Sequence, residues 1–351
     1  MSRYATLAAP FLRLIDAETG HRLAIRALSC GLVPAAPAFD DAVLRQSLWG
    51  LDFANPLGSA AGFDKNAEAV AATLALGFGF AEVGTVTPRP QPGNPKPRLF
   101  RLVEDEAVIN RMGFNNQGLE AVLGRLKAGR PAGIVAVNLG RNKDSADAVA
   151  DYVEGVRRAA PLASFLVINV SSPNTPGLRS LQRRQDLADL LGAARAARDE
   201  TVGRRPPLLV KIAPDLTEDE LADIAAVALD TGIDGIVATN TTIGRPASLK
   251  GSYAGETGGL SGRPLFSLST QVLGTVYRLT GGRLPLIGVG GVATGADAYA
   301  KIRAGASLVQ LYTAMVYGGP GIVDTVRRDL AALIRRDGFG GVAEAIGADH
   351  R

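Results

Sequence analysis

One stretch of the chain decides the fold: Phe165-Leu-Val-Ile-Asn-Val-Ser-Ser-Pro-Asn-Thr-Pro-Gly177. Its apolar, β-branched beginning is typical of a buried parallel strand. Polar side chains follow at once, and Pro173 and Pro176 stiffen the segment that carries them. Buried polar groups are costly unless they are hydrogen-bonded, so polar residues crowded at a strand end predict a ligand site there.

Seven further runs of this kind occur along the chain, each apolar at first and small or polar at its end. Helical patterns separate most of them, for example over 146–160 and 218–229. Eight alternations of strand and helix predict an α/β fold, a parallel (β/α)8 TIM barrel. A doubly wound open sheet is the alternative, and it is disfavoured because no G-x-G-x-x-G follows the first strand. The eight runs are 56–62, 80–87, 133–140, 165–172, 208–213, 235–242, 285–291 and 308–313.

In such a barrel the active site lies at the C-terminal ends of the strands. Amides, hydroxyls and lysines dominate these ends, and Asp64 and Asp215 are the exceptional carboxylates. This lining suits an anionic, hydrogen-bonding ligand and does not suit a divalent metal. The strand-end residues are Lys65, Thr85, Asn138, Asn169, Ser172, Asn174, Lys211, Thr239, Asn240, Thr241, Gly262, Gly290 and Gly291.

Two features of this lining have alternative interpretations. The glycines of 288–291, with Tyr312 and Thr313 after the last strand, either only turn the chain or bind a phosphate through backbone N–H groups; the rest of the lining favours phosphate. Lys211 either pairs with Asp215 or faces the N1/C2 carbonyl edge of a flavin, where reduction leaves negative charge. Its place at a strand end favours the flavin.

Two connections are unusually long, 87–118 after the second predicted strand and 242–264 after the sixth. Long ordered loops above a barrel typically form a lid or a small subdomain. We expect one of these arrangements here.

The composition excludes several classes of protein. Cys30 is the only cysteine, so no disulfide framework and no Cys-ligated metal centre can form within the chain. The two histidines, His21 and His350, lie near the termini, so histidine general-base chemistry is not expected. A formal charge of +4 over 351 residues is mild and, without a basic run rich in aromatics, does not indicate nucleic-acid binding. We find neither a signal peptide nor an apolar run of the ~18 residues that span a membrane.

Six motifs lie at or beside the predicted strand ends and loops: Ala60-Ala-Gly-Phe-Asp-Lys-Asn66, Asn110-Arg-Met-Gly-Phe-Asn-Asn116, Asn169-Val-Ser-Ser-Pro-Asn-Thr-Pro-Gly177, Ala238-Thr-Asn-Thr-Thr242, Gly258-Gly-Leu-Ser-Gly262 and Ile287-Gly-Val-Gly-Gly291. Together they resemble the dihydroorotate dehydrogenase family, in its quinone-dependent, membrane-associated class 2. The resemblance covers nearly the whole chain. It implies oxidation of dihydroorotate to orotate in pyrimidine (UMP) biosynthesis, with FMN as the cofactor and ubiquinone or menaquinone as the electron acceptor.

The resemblance also implies residue roles. Ser172 would be the catalytic base that takes the C5 proton of dihydroorotate while the C6 hydride goes to the flavin. Serine is a poor base and needs a route for the proton, for which Thr175 and Phe114 are candidates. FMN would be held by Ala61, Gly62, Lys65, Thr85, Asn138, Asn169, Lys211, Thr239, Gly262, Gly291, Tyr312 and Thr313. Dihydroorotate would be bound by Lys65, Asn110, Arg111, Met112, Gly113, Phe114, Asn169, Asn174, Asn240 and Thr241.

The resemblance is less close at one position, and a second observation separates class 2 from class 1. Thr313 stands where serine is more usual, which keeps a hydroxyl and a backbone N–H. The soluble class 1 enzymes have a cysteine as the base, whereas Cys30 lies outside the predicted barrel. The residues therefore disfavour class 1.

Residues 1–40 are expected to form an N-terminal helical extension before the predicted barrel of 41–351. They are either a helical hairpin packed on the barrel or, as the class 2 resemblance implies, the element that rests on a membrane surface and admits the quinone. The protein would then be peripheral, on the cytoplasmic side of the cell membrane.

Two helices are expected in this extension. Gly20 is expected to end the first, and a second is expected over 21–28, ended by Gly31 with Pro34. The first would carry one apolar face, made of Leu7, Ala8, Phe11, Leu12 and Ile15.

Two other functions are less consistent with the residues. Another FMN barrel, such as a dihydropyrimidine or dihydrouridine reductase, would require a nicotinamide partner, or a basic RNA surface with a catalytic cysteine. A non-catalytic phosphosugar- or nucleotide-binding barrel would leave Ser172 beside so many amides unexplained. We expect neither nucleic acid nor an obligatory protein partner.

Overall fold

A closed barrel is formed by eight parallel strands whose spatial order is their order along the chain: Leu57–Asp64, Phe80–Val86, Ile134–Leu139, Phe165–Asn169, Leu208–Ile212, Gly235–Ala238, Leu286–Val289 and Ala306–Leu311. The computed structural model describes residues 14–129, 131–201, 203 and 205–351. The predicted (β/α)8 barrel is confirmed. The strands are β1 (Gln46–Leu48), β2 (Leu51–Phe53), β3 (Leu57–Asp64), β4 (Phe80–Val86), β5 (Leu99–Leu102), β6 (Ala107–Asn110), β7 (Ile134–Leu139), β8 (Phe165–Asn169), β9 (Leu208–Ile212), β10 (Gly235–Ala238), β11 (Gly259–Gly262), β12 (Leu286–Val289) and β13 (Ala306–Leu311).

Helices follow the barrel strands, and two of them begin at a threonine that caps the first turn. Thr217 and Thr294 each accept a backbone hydrogen bond from the first turn of the next helix, and Glu220 and Asp297 complete the two capping boxes. The helices are α1 (Ala17–Ser29), α2 (Val70–Ala75), α3 (Gly118–Gly129), α4 (Ala148–Ala159), α5 (Arg184–Asp199), α6 (Glu218–Thr231), α7 (Phe266–Leu279), α8 (Gly295–Arg303), α9 (Thr313–Gly318), α10 (Ile322–Arg336) and α11 (Val342–Ala345), with short 3-10 turns at Ala42–Leu44, Arg179–Gln182, Arg263–Leu265 and Ala348–His350.

The hairpin of β1 and β2 packs at the N-terminal end of the barrel. The Phe53 ring lies 5.7 Å from that of Phe80, and the Trp49 ring lies 5.7 Å from that of Phe165. Phe80 and Phe165 are the first residues of β4 and β8, so these contacts close the barrel interior on that side. The opposite, C-terminal end is where the polar strand ends gather.

The two long connections together form a small three-stranded antiparallel sheet. β6 lies in its centre, paired with β5 on one side and with β11 on the other. Phe100, Ile109 and Leu260 belong to the separate apolar core of this sheet. The predicted small subdomain is confirmed, and it brings Asn110, the last residue of β6, towards the strand ends.

The expected helix boundary at Gly20 is wrong. Asp16 caps a new helix, its carboxylate accepting the Thr19 N–H at 2.8 Å, and α1 runs through Gly20 to Ser29. The guanidinium of Arg101 packs close to this glycine, since a Cβ at position 20 would lie 2.6 Å from its Nη2. Gly31, with φ +70°, follows the end of α1 as expected.

The apolar face expected from Leu7 to Ile15 falls mainly on residues 1–13, outside the part of the chain that the structure describes. Among the described residues, no helix combines the length and the apolar character that crossing a membrane requires.

Candidate active site

A buried hydrogen-bond network joins the ends of β4, β7 and β8. Nδ2 of Asn169 donates to Oγ1 of Thr85 at 2.8 Å and to Oδ1 of Asn138 at 3.2 Å. Oγ1 of Thr85 in turn donates to Oδ1 of Asn138 at 2.5 Å. Beneath them, Glu82 accepts hydrogen bonds from Asn138 and from Gln310. Because these side chains satisfy one another, the network fixes the orientation of Thr85 and Asn169.

The loop after β8 continues this network towards Ser172. Oδ1 of Asn169 accepts the backbone N–H of Ser171 at 3.2 Å and its hydroxyl at 3.0 Å. Nδ2 of Asn240 donates to the same hydroxyl at 2.9 Å. The hydroxyl oxygen of Ser172 accepts the backbone N–H of Asn174 at 3.2 Å. Ser172 is thus a buried hydroxyl whose oxygen already faces a hydrogen-bond donor.

A cavity of about 880 Å³ opens above these strand ends, within the range of small-molecule sites. Most of the residues predicted to hold cofactor or substrate line it, although they come from the ends of seven barrel strands and from two long loops. These lining residues are Ala61, Gly62, Lys65, Thr85, Asn110, Met112, Gly113, Phe114, Asn169, Ser172, Asn174, Lys211, Thr239, Asn240, Thr241, Gly262, Gly291, Tyr312 and Thr313.

Two predicted site residues lie elsewhere. Asn138 is fully buried behind Thr85 and Asn169, so it would orient their side chains rather than contact a ligand. Arg111, predicted among the substrate ligands, instead pairs with Glu256 at 2.6 Å and lies over the ring of Phe100. Its guanidinium is thus held by residues of the small sheet and the loop beside it. The position of Arg111 within the motif 110–116 could not reveal this.

Lys211 is a buried cation facing the cavity. Its side chain is 5% exposed, and no acceptor or carboxylate within the described residues meets its ammonium. The alternative pairing with Asp215 is wrong, because Asp215 binds Arg179 at 2.9 Å. A buried charge is costly without a partner, so the cavity requires an electron-rich ligand atom beside Lys211.

Lys65 and Asp64 differ in what they do. Nζ of Lys65 donates to the backbone oxygen of Gly62 at 2.9 Å, and burial lowers its pKa to about 8, partly offset by the charge of Glu18. Asp64 accepts the backbone N–H groups of Glu68 at 2.9 Å and Ala69 at 2.7 Å, while burial raises its pKa. Asp64 therefore stabilises a turn, and Lys65 is the charged group available to a ligand.

The glycines after β12 form a tight backbone cradle. Gly290 and Gly291 have φ of +114° and +76°, and a Cβ at position 291 would lie 2.5 Å from the Cβ of Phe266. In the described chain, the backbone N–H groups of Gly290, Gly291 and Thr313 donate to no other protein group. Free N–H groups around a glycine turn are typical of anion sites, which fits a phosphate.

A second wall of the cavity is apolar and comes from α1. Ala24, Ala27 and Leu28 line it, and His21 meets the strand ends through a 3.3 Å contact between Nδ1 and the hydroxyl of Tyr312. Burial, and next the charge of Lys65, lower the pKa of His21 to about 3, so its ring is neutral. Sequence reasoning set His21 aside because it lies near the terminus.

Other residues that sequence reasoning missed had a visible signal. Glu82 and Gln310 are polar residues inside otherwise apolar strand runs, and both are buried beneath the cavity. The contact of His21 had no such signal, because Tyr312 lies 291 residues away in the sequence.

A family model described as dihydroorotate dehydrogenase matches residues 43–334. The chain belongs to the dihydroorotate dehydrogenase family. It is 61% identical to the dihydroorotate dehydrogenase (quinone) of Rhodospirillum rubrum over 100% of this chain and 96% of that one. It is 55% identical to the mitochondrial dihydroorotate dehydrogenase (quinone) of Mus musculus, over 99% of this chain and 91% of that one.

Solved dihydroorotate dehydrogenases have the same fold. A crystal structure of DHODH from Eimeria tenella in complex with ferulenol superposes with a TM-score of 0.93, at 46% identity over 96% of each chain. The predicted quinone-dependent class of dihydroorotate dehydrogenase is confirmed, and the chain is an oxidoreductase.

Proposed function

We propose that the protein oxidises (S)-dihydroorotate to orotate at a bound FMN, which a membrane quinone then re-oxidises, in de novo pyrimidine biosynthesis. One observation carries the proposal most directly. Ser172, the unpartnered ammonium of Lys211 and the free N–H groups of the glycine cradle all face a single cavity that also meets the apolar wall of α1. A base, a flavin partner, a phosphate site and an apolar approach are what this reaction requires.

The residues present fit FMN. The N–H groups of Gly290, Gly291 and Thr313 would hold its phosphate, and Lys211 would face the edge of the ring where negative charge develops. Thr85, Asn169 and Thr239, with Ala61, Gly62 and Gly262, would line the rest of the cofactor site. FMN, when bound, supplies the acceptor for the hydride and passes two electrons on to the quinone.

Amides and one lysine would bind dihydroorotate. Asn174 donates to the backbone oxygen of Asn110 at 3.0 Å and to its side-chain oxygen at 3.2 Å, which joins the small sheet to the loop that carries Ser172. Asn240 and Thr241 approach from the end of β10. Lys65 would pair with the substrate carboxylate, a pairing that its lowered pKa makes sensitive to pH above about 8.

Ser172 would remove the C5 proton. The Asn174 N–H that donates to its oxygen would stabilise negative charge developing there. Oγ1 of Thr175 is buried and has no hydrogen-bond partner among the described residues, which supports a part for it in the proton route. Met112, Gly113 and Phe114 would exclude water from the opposite side.

The α1 helix would admit the quinone and rest on the membrane. Leu23 and Leu32 are exposed, at 47% and 74%, although both lie beside the apolar wall of the cavity. Arg22 and Arg26 are exposed on the same helix, as suits a helix lying on an anionic lipid surface. We propose that the protein is peripheral, on the cytoplasmic side of the cell membrane.

The cofactor assignment is tested by Lys211→Met, with the exposed Lys250→Met as its control. A hydrogen bond to a charged group contributes about 1.5–3 kcal/mol, so the FMN dissociation constant should rise about 10- to 100-fold in Lys211→Met and stay unchanged in Lys250→Met. The measurement is titration of FMN-free protein. A protein that binds no FMN, or a Lys211→Met that binds it normally, contradicts the assignment.

The membrane assignment is tested by the double variant Leu23→Glu/Leu32→Glu. It should lose co-sedimentation with anionic vesicles and turnover with long-chain quinone, while flavin reduction by dihydroorotate persists. Leu268→Glu replaces another exposed leucine, 36% exposed on the outer helix α7, and should change neither property. Equal loss of both half-reactions in the double variant contradicts the separate role of α1.

A further inference from the structure

One guanidinium joins the loops after three consecutive barrel strands. Nε of Arg179 donates to the backbone oxygen of Ser171 at 3.0 Å, and Nη2 donates to that of Thr241 at 3.0 Å. Nη1 pairs with Oδ2 of Asp215 at 2.9 Å. Ser171 follows β8, Asp215 follows β9 and Thr241 follows β10, so we name Arg179 and Asp215 together the strand-end clamp.

Asp215, the second residue of the strand-end clamp, is itself held in place by hydrogen bonds. Asp215 accepts the hydroxyl of Thr242 and the backbone N–H of Ile243 at 3.2 Å. Gln182, in the same 3-10 turn as Arg179, accepts the backbone N–H of Ala213 at 2.9 Å. Arg179 therefore extends from a turn that Gln182 independently ties to the segment after β9, and its fork geometry can hold two carbonyl groups at once.

The two peptides that Arg179 holds depend on it to different degrees. Within the described residues, Arg179 is the sole hydrogen-bond donor to the Ser171 oxygen, and the N–H of Ser172 in the same peptide has no acceptor. Arg179 is there also the sole donor to the Thr241 oxygen, but the N–H of Thr242 in that peptide donates to the backbone oxygen of Leu260 at 3.1 Å. Loss of the guanidinium would thus release the Ser171–Ser172 peptide, whereas Leu260 would still hold the Thr241–Thr242 peptide.

We propose that Arg179 is a positioning residue for proton removal: by fixing the peptide plane before Ser172, it sets the direction of the hydroxyl that takes the C5 proton. The proposal rests on the function proposed above. Arg179 does not line the cavity, so it acts through Ser171 rather than on the substrate. A displacement of about 1 Å in a catalytic group can reduce a rate about 100-fold. Loss of the contact that fixes the Ser171–Ser172 peptide should therefore slow proton removal, although Arg179 does not touch the substrate.

The test uses Arg179→Met and Arg179→Lys, with Arg184→Gln as the matched control, since Arg184 pairs with Asp223 at 2.8 Å on the exposed surface nearby. Anaerobic rapid mixing gives the limiting rate constant of flavin reduction and the dissociation constant of dihydroorotate. Arg179→Met should lower the rate constant about 10- to 100-fold. The dissociation constant should change by less than about threefold, because the N–H of Thr242 still ties the Thr241–Thr242 peptide to Leu260.

Three further readouts separate positioning from a general structural role. Deuterium at C5 of dihydroorotate should slow Arg179→Met more than it slows the wild type, because proton removal becomes more rate-limiting. Arg179→Lys should recover only part of the rate, since one ammonium cannot reach both carbonyl groups in the same fork. The FMN content per chain should be the same in Arg179→Met as in the control Arg184→Gln.

Several results would overturn the proposal. These are an unchanged rate constant, a full recovery in Arg179→Lys, or a slower reaction that only tracks lost FMN with no change in the C5 isotope effect. If Arg179→Met does not fold, Asp215→Asn decides, because it removes the charge that orients the guanidinium and should reproduce the isotope effect. If dihydroorotate does not reduce the flavin of the wild-type protein, the proposed function itself is contradicted, before any clamp variant is compared.

Discussion

Replacing Gly291 by alanine should weaken FMN binding strongly, because the cradle leaves no room for a side chain. The residue has φ +76°, where an ordinary residue costs about 1–2 kcal/mol. A new Cβ would also lie 2.5 Å from the Cβ and 2.6 Å from the backbone nitrogen of Phe266, and such overpacking costs about 1–3 kcal/mol. Movement of the loop would relieve this strain but would displace the N–H groups of the cradle. A loss of about 2 kcal/mol from the free energy of FMN binding corresponds to an affinity about 30-fold weaker.

The assay is titration of FMN-free protein, followed by quenching of flavin fluorescence. Gly192→Ala is the control: Gly192 lies inside α5 with no atom within 4 Å of a Cβ, and alanine favours a helix by about 1 kcal/mol. We expect normal FMN affinity and slightly higher stability for the control. If Gly291→Ala binds FMN as tightly as Gly192→Ala does, the glycine cradle does not hold the cofactor.

Three other perturbations test separate parts of the account. Ser172→Ala should abolish most turnover while leaving FMN bound, as measured by steady-state assay and flavin absorbance, and loss of the yellow colour would show that Ser172 is structural. Lys301 is fully buried beside the hydroxyl of Ser269 at 2.6 Å, and burial lowers its pKa to about 7 from 10.5. Between pH 7 and pH 10.5 the Lys301 side chain is protonated in the unfolded chain and has lost that proton in the folded chain. The unfolding free energy should therefore rise with pH in the wild type relative to Lys301→Met. Parallel curves of unfolding free energy against pH for the two proteins would contradict this. Glu18→Gln should lower the unfolding free energy by about 3 kcal/mol, because the guanidinium of Arg98 loses its buried carboxylate partner at 2.8 Å, whereas Asp144→Asn, in an exposed pair with Arg89, should have no measurable effect in the same denaturant titration.

The barrel could be predicted because its signal is local. Each strand run carries its own polar end, as in Phe165 to Gly177, and the order of runs along the chain is the order of strands around the barrel. Once that order is known, residues as distant as Thr85 and Asn169 must approach each other, and their hydroxyl and amide are 2.8 Å apart. The part of the lining that the barrel strand ends supply follows from this topology.

Pairings between distant surfaces could not be predicted in this way. The contact between Glu18 of α1 and Arg98 beside the small sheet depends on how the extension packs, and nothing local in either segment indicates it. That pair also links α1, the proposed quinone and membrane element, to the proposed substrate site. Arg98 donates to the backbone oxygen of Asn94, and the side-chain amide of Asn94 donates to the backbone oxygen of Asn174. Deleting the whole extension would therefore disturb the substrate loop, and point variants of α1 separate the half-reactions better.

Gly20 and Arg111 show a second limit. A glycine near the end of an apolar pattern predicts a helix end, but Gly20 lies inside α1, beside the guanidinium of Arg101. Arg111 lies between two residues of the cavity wall, Asn110 and Met112, and its own side chain turns to Glu256. Neighbours in a motif share a backbone and need not share a site.

The measurement that tests the central claim most directly is anaerobic titration of the purified protein with dihydroorotate, followed by addition of an acceptor. The account predicts that the flavin absorbance bleaches at stoichiometric dihydroorotate and returns when ubiquinone or menaquinone is added, whereas fumarate or NAD leaves the flavin reduced. A flavin that dihydroorotate does not bleach, or one that fumarate or NAD re-oxidises as fast as a quinone does, would contradict it.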